Sequence, residues 1–479
     1  MSRSLAIILL FLFCLPLTAQ AQETPGGEGS HPELTRTIDR ILAESDLPRT
    51  VIGIHVEDLS TGNVLYSRNS DRLMNPASNM KLVTAAAILE VLGPNHVVRT
   101  ELRTEKREGA KIENLYIRGG GEAFLVHRDI LAWASELRQQ GIEEITGDVI
   151  IDDTIFRGDY LPPGFDQRPS DAAWRSMIGA ISVNFNAVQA TVLPGPQVGT
   201  AARVRLDPPN EHIQIVNRVT TVRGSLGRVN VSAEAYGEGT RLVITGTIGA
   251  NASPVSMRRR IDNPPAFAGS VIAMAMRQMG ITFRGQVRQG RTAEKTERIF
   301  VHDSQPIMNS ISGMNKWSNN FMAEQMLRFL GVNGSQPSTW DASIRRATQA
   351  IQEGNIISGP FTIHNGSGLY DGNLVSPRQV VGLLSTMRNH RYGPEFMASL
   401  PIAGVDGTLR HRLEGDLTRG NLRAKTGSLR DVSALSGYLQ TQSGRMVAFS
   451  IIFNDPPRPA WGYRSYQDRI AEAIARIND

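Results

Sequence analysis

Pro76-Ala77-Ser78-Asn79-Met80-Lys81-Leu82 opens the stretch that decides how this chain folds. It continues as Val83-Thr84-Ala85-Ala86-Ala87-Ile88-Leu89-Glu90-Val91-Leu92 and stops at Gly93-Pro94. A run this apolar, closed by Gly-Pro, predicts a helix buried on most sides. Three residues is nearly one helical turn, so Ser78 and Lys81 share a face. A serine hydroxyl is a weak nucleophile at neutral pH and needs an adjacent base. A lysine serves if burial and neighbouring positive charge lower its pKa. The positive end of the helix dipole at Ser78 favours a developing oxyanion. Alone the spacing says little, because a capping serine and a snorkelling lysine give the same pattern.

Two later motifs change its weight. Ser318-Asn319-Asn320 follows Lys316-Trp317 and precedes the apolar helix pattern Phe321-Met-Ala-Glu-Gln-Met-Leu327. Read by itself it is a helix cap. Read as chemistry, Ser318 relays a proton and the Asn320 amide holds a substrate carbonyl. Lys425-Thr426-Gly427-Ser428 precedes a strand pattern from Leu429 to Tyr438. There a lysine can meet a substrate carboxylate and depress the pKa of Lys81, while Gly427 lets a peptide backbone approach the strand edge. The bland alternative is an edge lysine that blocks aggregation. The chain has only six lysines (81, 106, 111, 295, 316 and 425), and two of them fall in these motifs.

Outward from the motifs, the segment before them reads as a helix (Leu34, Ile38, Ile41 and Leu42), then a hairpin through Thr50–Leu59 and Val64–Tyr66. In the middle, Leu137–Val149 echoes Met276–Val287: helix end, Gly-Ile turn, then strand. Two such units predict one domain interrupted by the Val-, Thr- and Gly-rich stretch 191–255, an all-β module. Helix patterns at 318–331, 340–353, 377–388 and 463–477, with a hairpin of Ala434–Gln440 and Met446–Phe453, complete the chain.

At 479 residues, 41% hydrophobic and 20% charged, the composition is that of a globular protein of several domains. A net charge of +5 is too mild to indicate a nucleic-acid binder. Arg3, the apolar run Leu5–Leu17 and Ala19-Gln20-Ala21 form a secretory signal peptide over 1–21, too short to span a membrane. A polar leader, expected to be flexible, occupies 22–30. The single cysteine, Cys14, lies within the signal, so the mature chain has no thiol chemistry. The nine histidines lack metal-binding spacing, and no metal or cofactor is expected. His127-Arg128-Asp129 lacks the downstream Asn of a kinase loop, Gly119-Gly-Gly121 lacks the Lys of a phosphate loop, and Gly-x-Ser-x-Gly is absent.

The ordered set Ser-x-x-Lys, Ser-x-Asn, Lys-Thr-Gly resembles penicillin-binding proteins and serine β-lactamases. Ser318 stands 240 positions after Ser78, a gap that resembles the S13 family of D-alanyl-D-alanine carboxypeptidase/endopeptidases. Gly147-Asp-Val-Ile-Ile-Asp-Asp153, Asn365-Gly-Ser-Gly-Leu369 and Leu400-Pro-Ile-Ala-Gly-Val-Asp-Gly-Thr-Leu409 extend the likeness from about residue 34 to the C-terminus.

The resemblance implies an α/β (α+β) architecture. A transpeptidase-like catalytic domain, an antiparallel sheet with flanking helices, would comprise 31–97 and 293–479. It would be interrupted by a mixed domain (98–190 and 256–292) around the nested β module. The resemblance also implies an exported, periplasmic serine D-Ala-D-Ala carboxypeptidase, with endopeptidase as a second activity. It would act on peptidoglycan stem peptides, with β-lactams as covalent inhibitors. Ser78 would be the nucleophile, Lys81 the base, Ser318 the proton relay and Asn320 the substrate anchor. Lys425 and Thr426 would meet the terminal carboxylate, and the Ser78 and Ser428 N–H groups would form the oxyanion hole. A carboxylate of the inserted domain, Asp152 with Asp153 as rival, would pair with an ammonium on the third stem residue. Tyr370-Asp371 and Arg430 depart from the family pattern and suggest charges exchanged across the pocket. A serine β-lactamase and a non-catalytic wall-binding scaffold are the rival readings.

Overall fold

The structure is a computed structural model that describes residues 27–478 except 45, 46, 48, 49, 335 and 458. The expected signal peptide and leader residues 22–26 lie outside the described residues. Within the rest of the leader, Glu28 exchanges backbone hydrogen bonds with Ser67, and the Gly27 N–H donates to Asp39 at 3.1 Å, so 27–30 runs along the sheet edge.

Five antiparallel strands form the first sheet, in the order Arg423–Ser428, Val432–Gln440, Met446–Asn454, Val51–Asp58, Val64–Arg68. The three inner strands are buried almost throughout, which explains why most of their positions are apolar or small. Pro377–Asn389 packs on one face, and Pro32–Leu42 with Arg464–Ala475 packs on the other. The Met80–Leu92 helix is apolar all round because it is enclosed by Asn320–Leu330, Trp340–Glu353 and Pro377–Asn389.

A second five-stranded sheet runs Val287–Gln289, Val149–Asp152, Leu115–Arg118, Arg99–Thr104, Glu297–Asp303. The two echoing units lie side by side in it: Val149 pairs in parallel with Val287, and Gly141 and Gly280 both take φ near +80° to end their helices. Helices His127–Gln139 and Pro264–Gln278 pack against each other. Two expected boundaries move. Glu297–Asp303 pairs with Arg99–Thr104, so this strand belongs with the inserted sheet although it lies beyond 293. The nested β region begins at Ala187 and ends at Arg260, because Ala187–Leu193 pairs with both Arg203–Asp207 and Val255–Arg260. Its other three strands are Ile213–Val222, Gly239–Gly249 and Gly227–Tyr236. Among the described residues no helix is long and apolar enough to cross a membrane.

Candidate active site

Ser78 sits in the short 3-10 turn Ala77–Asn79 that leads into Met80–Leu92. Ala77 has φ +46°, a conformation that costs an L-residue on the order of 1–3 kcal/mol and persists only where its surroundings impose it. Asn75 Oδ1 accepts from the Ala77 N–H at 2.9 Å, and the Asn79 amide donates to Ser436 Oγ at 2.7 Å. The first bond shapes the turn locally, and the second ties it to the sheet behind it. Gly368 and Gly427 crowd it from two sides: a Cβ on Gly368 would lie 1.8 Å from the Ala77 carbonyl, and one on Gly427 2.8 Å from the Pro76 carbonyl.

Lys81 is fully buried, and its Nζ has three partners: Ser78 Oγ at 3.1 Å, Asn320 Oδ1 at 2.8 Å and the Ser367 carbonyl at 2.7 Å. Burial brings its pKa down to about 7, against an opposing pull from Glu324. Two of the three partners are carbonyl oxygens, which only accept. A neutral amine therefore places its two hydrogens on Asn320 and Ser367 and turns its lone pair to Ser78, the one partner with a proton to give.

Lys425, also fully buried, donates to Ser318 Oγ at 2.9 Å and to the Thr426 carbonyl at 2.7 Å. Burial first, and then repulsion from Lys81, holds its pKa well below the usual lysine value. Ser318 has φ +55°, a second strained residue at the centre of the site. Thr426 Oγ1 donates to Thr408 Oγ1 at 2.8 Å. Arg423–Ser428 is an edge strand, and Leu429 N–H donates inward to the Val432 carbonyl. Because N–H groups alternate along a strand, that of Ser428 points outward, to the open edge.

Ser78, Lys81, Ser318, Asn320 and Lys425 therefore converge, with Thr426, Gly427 and Ser428 along one wall. Asp152 and Asp153 do not join them. Asp152 Oδ1 accepts from Thr154 Oγ1 at 2.6 Å, and Oδ2 accepts from the Thr292 N–H at 2.8 Å. It faces a separate cleft with Arg118 and Arg291. Burial pushes its pKa up, but these hydrogen bonds outweigh burial and leave it lowered. Asp153 is buried, its pKa raised to about 7 chiefly by that burial, and its Oδ1 accepts from the Ala180 and Ile181 N–H groups.

Sequence reasoning misses three features. Glu324 is fully buried on the Asn320–Leu330 helix and accepts from the Gly366 and Ser367 N–H groups at 3.0 and 2.7 Å. It thereby holds the carbonyl that Lys81 meets. Its pKa is raised, principally by burial. Its signal is a carboxylate four positions after Asn320 in an apolar helix, hence on the same face. The second is Trp174, whose carbonyl accepts from Asn320 Nδ2 at 3.0 Å. The third is an ion pair, Arg168–Asp431 at 3.1 Å, which joins the inserted segment to the turn after the Lys-Thr-Gly strand. Beneath it, Phe165, Leu369 and Tyr370 make a small apolar cluster with Leu429 at its side. Asp371 Oδ1 accepts from Asn75 Nδ2 at 3.1 Å, and Tyr370 lies under Arg168 and Arg175.

A buried Ser–Lys pair at a helix start, facing a Ser-x-Asn turn and an edge strand with Lys-Thr-Gly, defines a serine acyl-transfer site of the penicillin-recognising class. The chain belongs to the D-Ala-D-Ala carboxypeptidase 3 (S13) family, whose pattern it matches over residues 34–475. It is 33% identical to a D-alanyl-D-alanine carboxypeptidase of Actinomadura sp. (strain R39), over 99% of this chain and 90% of that protein. It is 25% identical to D-alanyl-D-alanine carboxypeptidase DacB of Haemophilus influenzae, over 84% of this chain and 85% of that one. In fold it is similar to the crystal structure of penicillin binding protein 4 (dacB) of H. influenzae, with a TM-score of 0.79 at 22% identity, covering 92% of this chain and 99% of that one.

Proposed function

We propose that the chain is an exported, periplasmic serine D-Ala-D-Ala carboxypeptidase that also cuts peptide cross-links, acting on peptidoglycan stem peptides. The observation that carries this reading is the Lys81 nitrogen, 3.1 Å from Ser78 Oγ and confined by two acceptor-only partners. Ser78 passes its proton to neutral Lys81 as Oγ bonds to the carbonyl carbon between two D-alanines. The Ser78 and Ser428 N–H groups receive the oxyanion. As the C–N bond breaks, the proton reaches the leaving nitrogen through Ser318. Asn320 anchors the acyl portion, and Lys425 with Thr426 meets the terminal carboxylate. Water then releases the acyl group and restores Ser78. No step calls on a cofactor. The catalytic unit in this reading comprises the chain before about 97 and after about 303, with the rest inserted.

Intact mass after brief exposure to benzylpenicillin tests it, with Ser78→Ala in parallel. A stable adduct on the parent protein, absent from the variant, supports the assignment. Consumption of penicillin without an adduct makes the protein a β-lactamase. Neither adduct nor consumption leaves a binding scaffold as the better account.

A further inference from the structure

Trp174 separates two regions around Asn320. On one side its ring meets Tyr370 edge-on at 6.3 Å, and the Arg168–Asp431 pair straps the walls together over the apolar cluster. On the other side, beginning at Ser318 itself, a cleft of about 670 Å³ runs out between the inserted helix His127–Gln139 and the strands Ala187–Leu193 and Val255–Arg260. A volume of this size suits a ligand of many heavy atoms, and a single released alanine would fill little of it.

The lining of this cleft has a consistent chemistry. Trp317 is 62% exposed and Trp174 49%, both large apolar faces left open to solvent. Arg128 and Arg258 stand further out, against one lining carboxylate, Asp207. Arg258 Nε donates to Gln189 Oε1 at 3.2 Å. Arg128 lies 3.9 Å from Asp129, but Asp129 is already engaged by its own helix start, accepting from the Val126 N–H at 3.0 Å. Stacking faces followed by guanidinium groups match a peptide bearing carboxylates.

We infer that this cleft receives the leaving strand of a cross-linked substrate, with Arg128 and Arg258 holding its acidic groups. The inference rests on the serine-peptidase reading above and assigns to that site the two residues that select its cross-linked substrate. When Ser78 Oγ bonds to the carbonyl carbon and the C–N bond breaks, the departing amine takes the proton at Ser318. Ser318 is where the cleft begins. In a simple carboxypeptidase substrate that amine belongs to one D-alanine. In a cross-linked dimer it carries a whole second stem peptide, and wall peptides have free carboxylates.

The test compares the parent protein with the double variant Arg128→Glu/Arg258→Glu on a purified cross-linked muropeptide dimer, on a monomeric pentapeptide and on benzylpenicillin. The expected result is a loss of roughly tenfold or more in kcat/KM for the dimer, as two lost charge-assisted contacts imply. Pentapeptide cleavage and penicillin acylation stay at parent values, and Arg128→Lys/Arg258→Lys restores most of the dimer activity. Equal losses on all three substrates, or no loss on the dimer, would overturn the inference. A parent protein that cleaves pentapeptide but not dimer also overturns it while leaving the carboxypeptidase reading intact. Failure of the parent on all three, penicillin included, removes both.

Discussion

Lys81 Nζ lies 2.8 Å from Asn320 Oδ1, across 239 residues of sequence and the whole of the inserted segment. The contact fixes the proton inventory of the site. With one hydrogen on Asn320 and another on the Ser367 carbonyl, neutral Lys81 has only its lone pair left for Ser78.

Acylation by benzylpenicillin should therefore follow the neutral fraction of Lys81. Its pKa of about 7 makes the rate rise with pH, roughly tenfold per unit below neutrality, and level off above it. The sign follows from the role: a base acts when deprotonated, so acid removes activity. Lys81→Met keeps the length and burial without the base. Stopped-flow acylation should fall by about 10²–10⁴-fold, and the melting temperature should drop as well, because Asn320 Oδ1 and the Ser367 carbonyl lose their donor at a cost of about 1–3 kcal/mol. An acylation rate flat across pH 5–9 would contradict the assignment.

Asp152 provides a test of structure against specificity. Both of its oxygens are engaged by Thr154 and Thr292, so Asp152→Ala strips buried donors of their partner and should cost about 1–3 kcal/mol. The melting temperature falls, while the ratio of KM values for diaminopimelate- and lysine-containing stem peptides stays at the parent value. A selective rise in KM for the diaminopimelate peptide would show that the side chain meets substrate after all.

The proposed catalytic residues are legible because their chemistry is written at short range: Ser78 and Lys81 one turn apart, Ser318 and Asn320 flanking a cap, Lys425 beside Thr426 and Gly427. The apolar strands and helices are legible for the same reason, since burial on both faces leaves mostly apolar runs such as Met446–Phe453. What sequence does not show is which polar group answers which across long separations. Asp152 and Asp153 are adjacent and alike. Only the fold brings Thr292 to one and Ala180 to the other, 140 and 27 residues away. The strand Glu297–Asp303 falls to the wrong unit in a sequence reading because its partner, Arg99–Thr104, lies nearly 200 residues earlier. No local pattern encodes that pairing.

Gly368 is the tightest steric point behind Ser78. Its φ of +75°, and the 1.8 Å that would separate an added Cβ from the Ala77 carbonyl, leave alanine no place there. Gly368→Ala should displace the strained Ala77–Ser78 turn, lowering both melting temperature and acylation rate. The paired control, Gly382→Ala, has nothing within 4 Å of the added methyl and sits inside the Pro377–Asn389 helix. That change should be neutral or stabilise by up to about 1 kcal/mol. Calorimetry on the two variants separates crowding at the site from a general intolerance of alanine.

Glu324 acts on Lys81 in two ways that a single substitution can divide. Its oxygens hold the Gly366 and Ser367 N–H groups, which positions the Ser367 carbonyl against Lys81, and its charge favours the ammonium form. Glu324→Gln keeps the side-chain shape and one acceptor but removes the charge. Without that charge the ammonium loses support, so the apparent pKa for acylation should move down and the pH profile should extend to more acidic values. The amide NH₂ of Gln also faces a backbone N–H that has lost its acceptor, at a cost of about 1–3 kcal/mol in stability. Glu324→Ala removes both supports, so the plateau rate itself should fall as the 365–369 turn loosens. If Glu324 served packing alone, both variants would lose stability while the midpoint of the pH profile stayed where it is. A midpoint that moves in Glu324→Gln assigns this carboxylate to the tuning of the base.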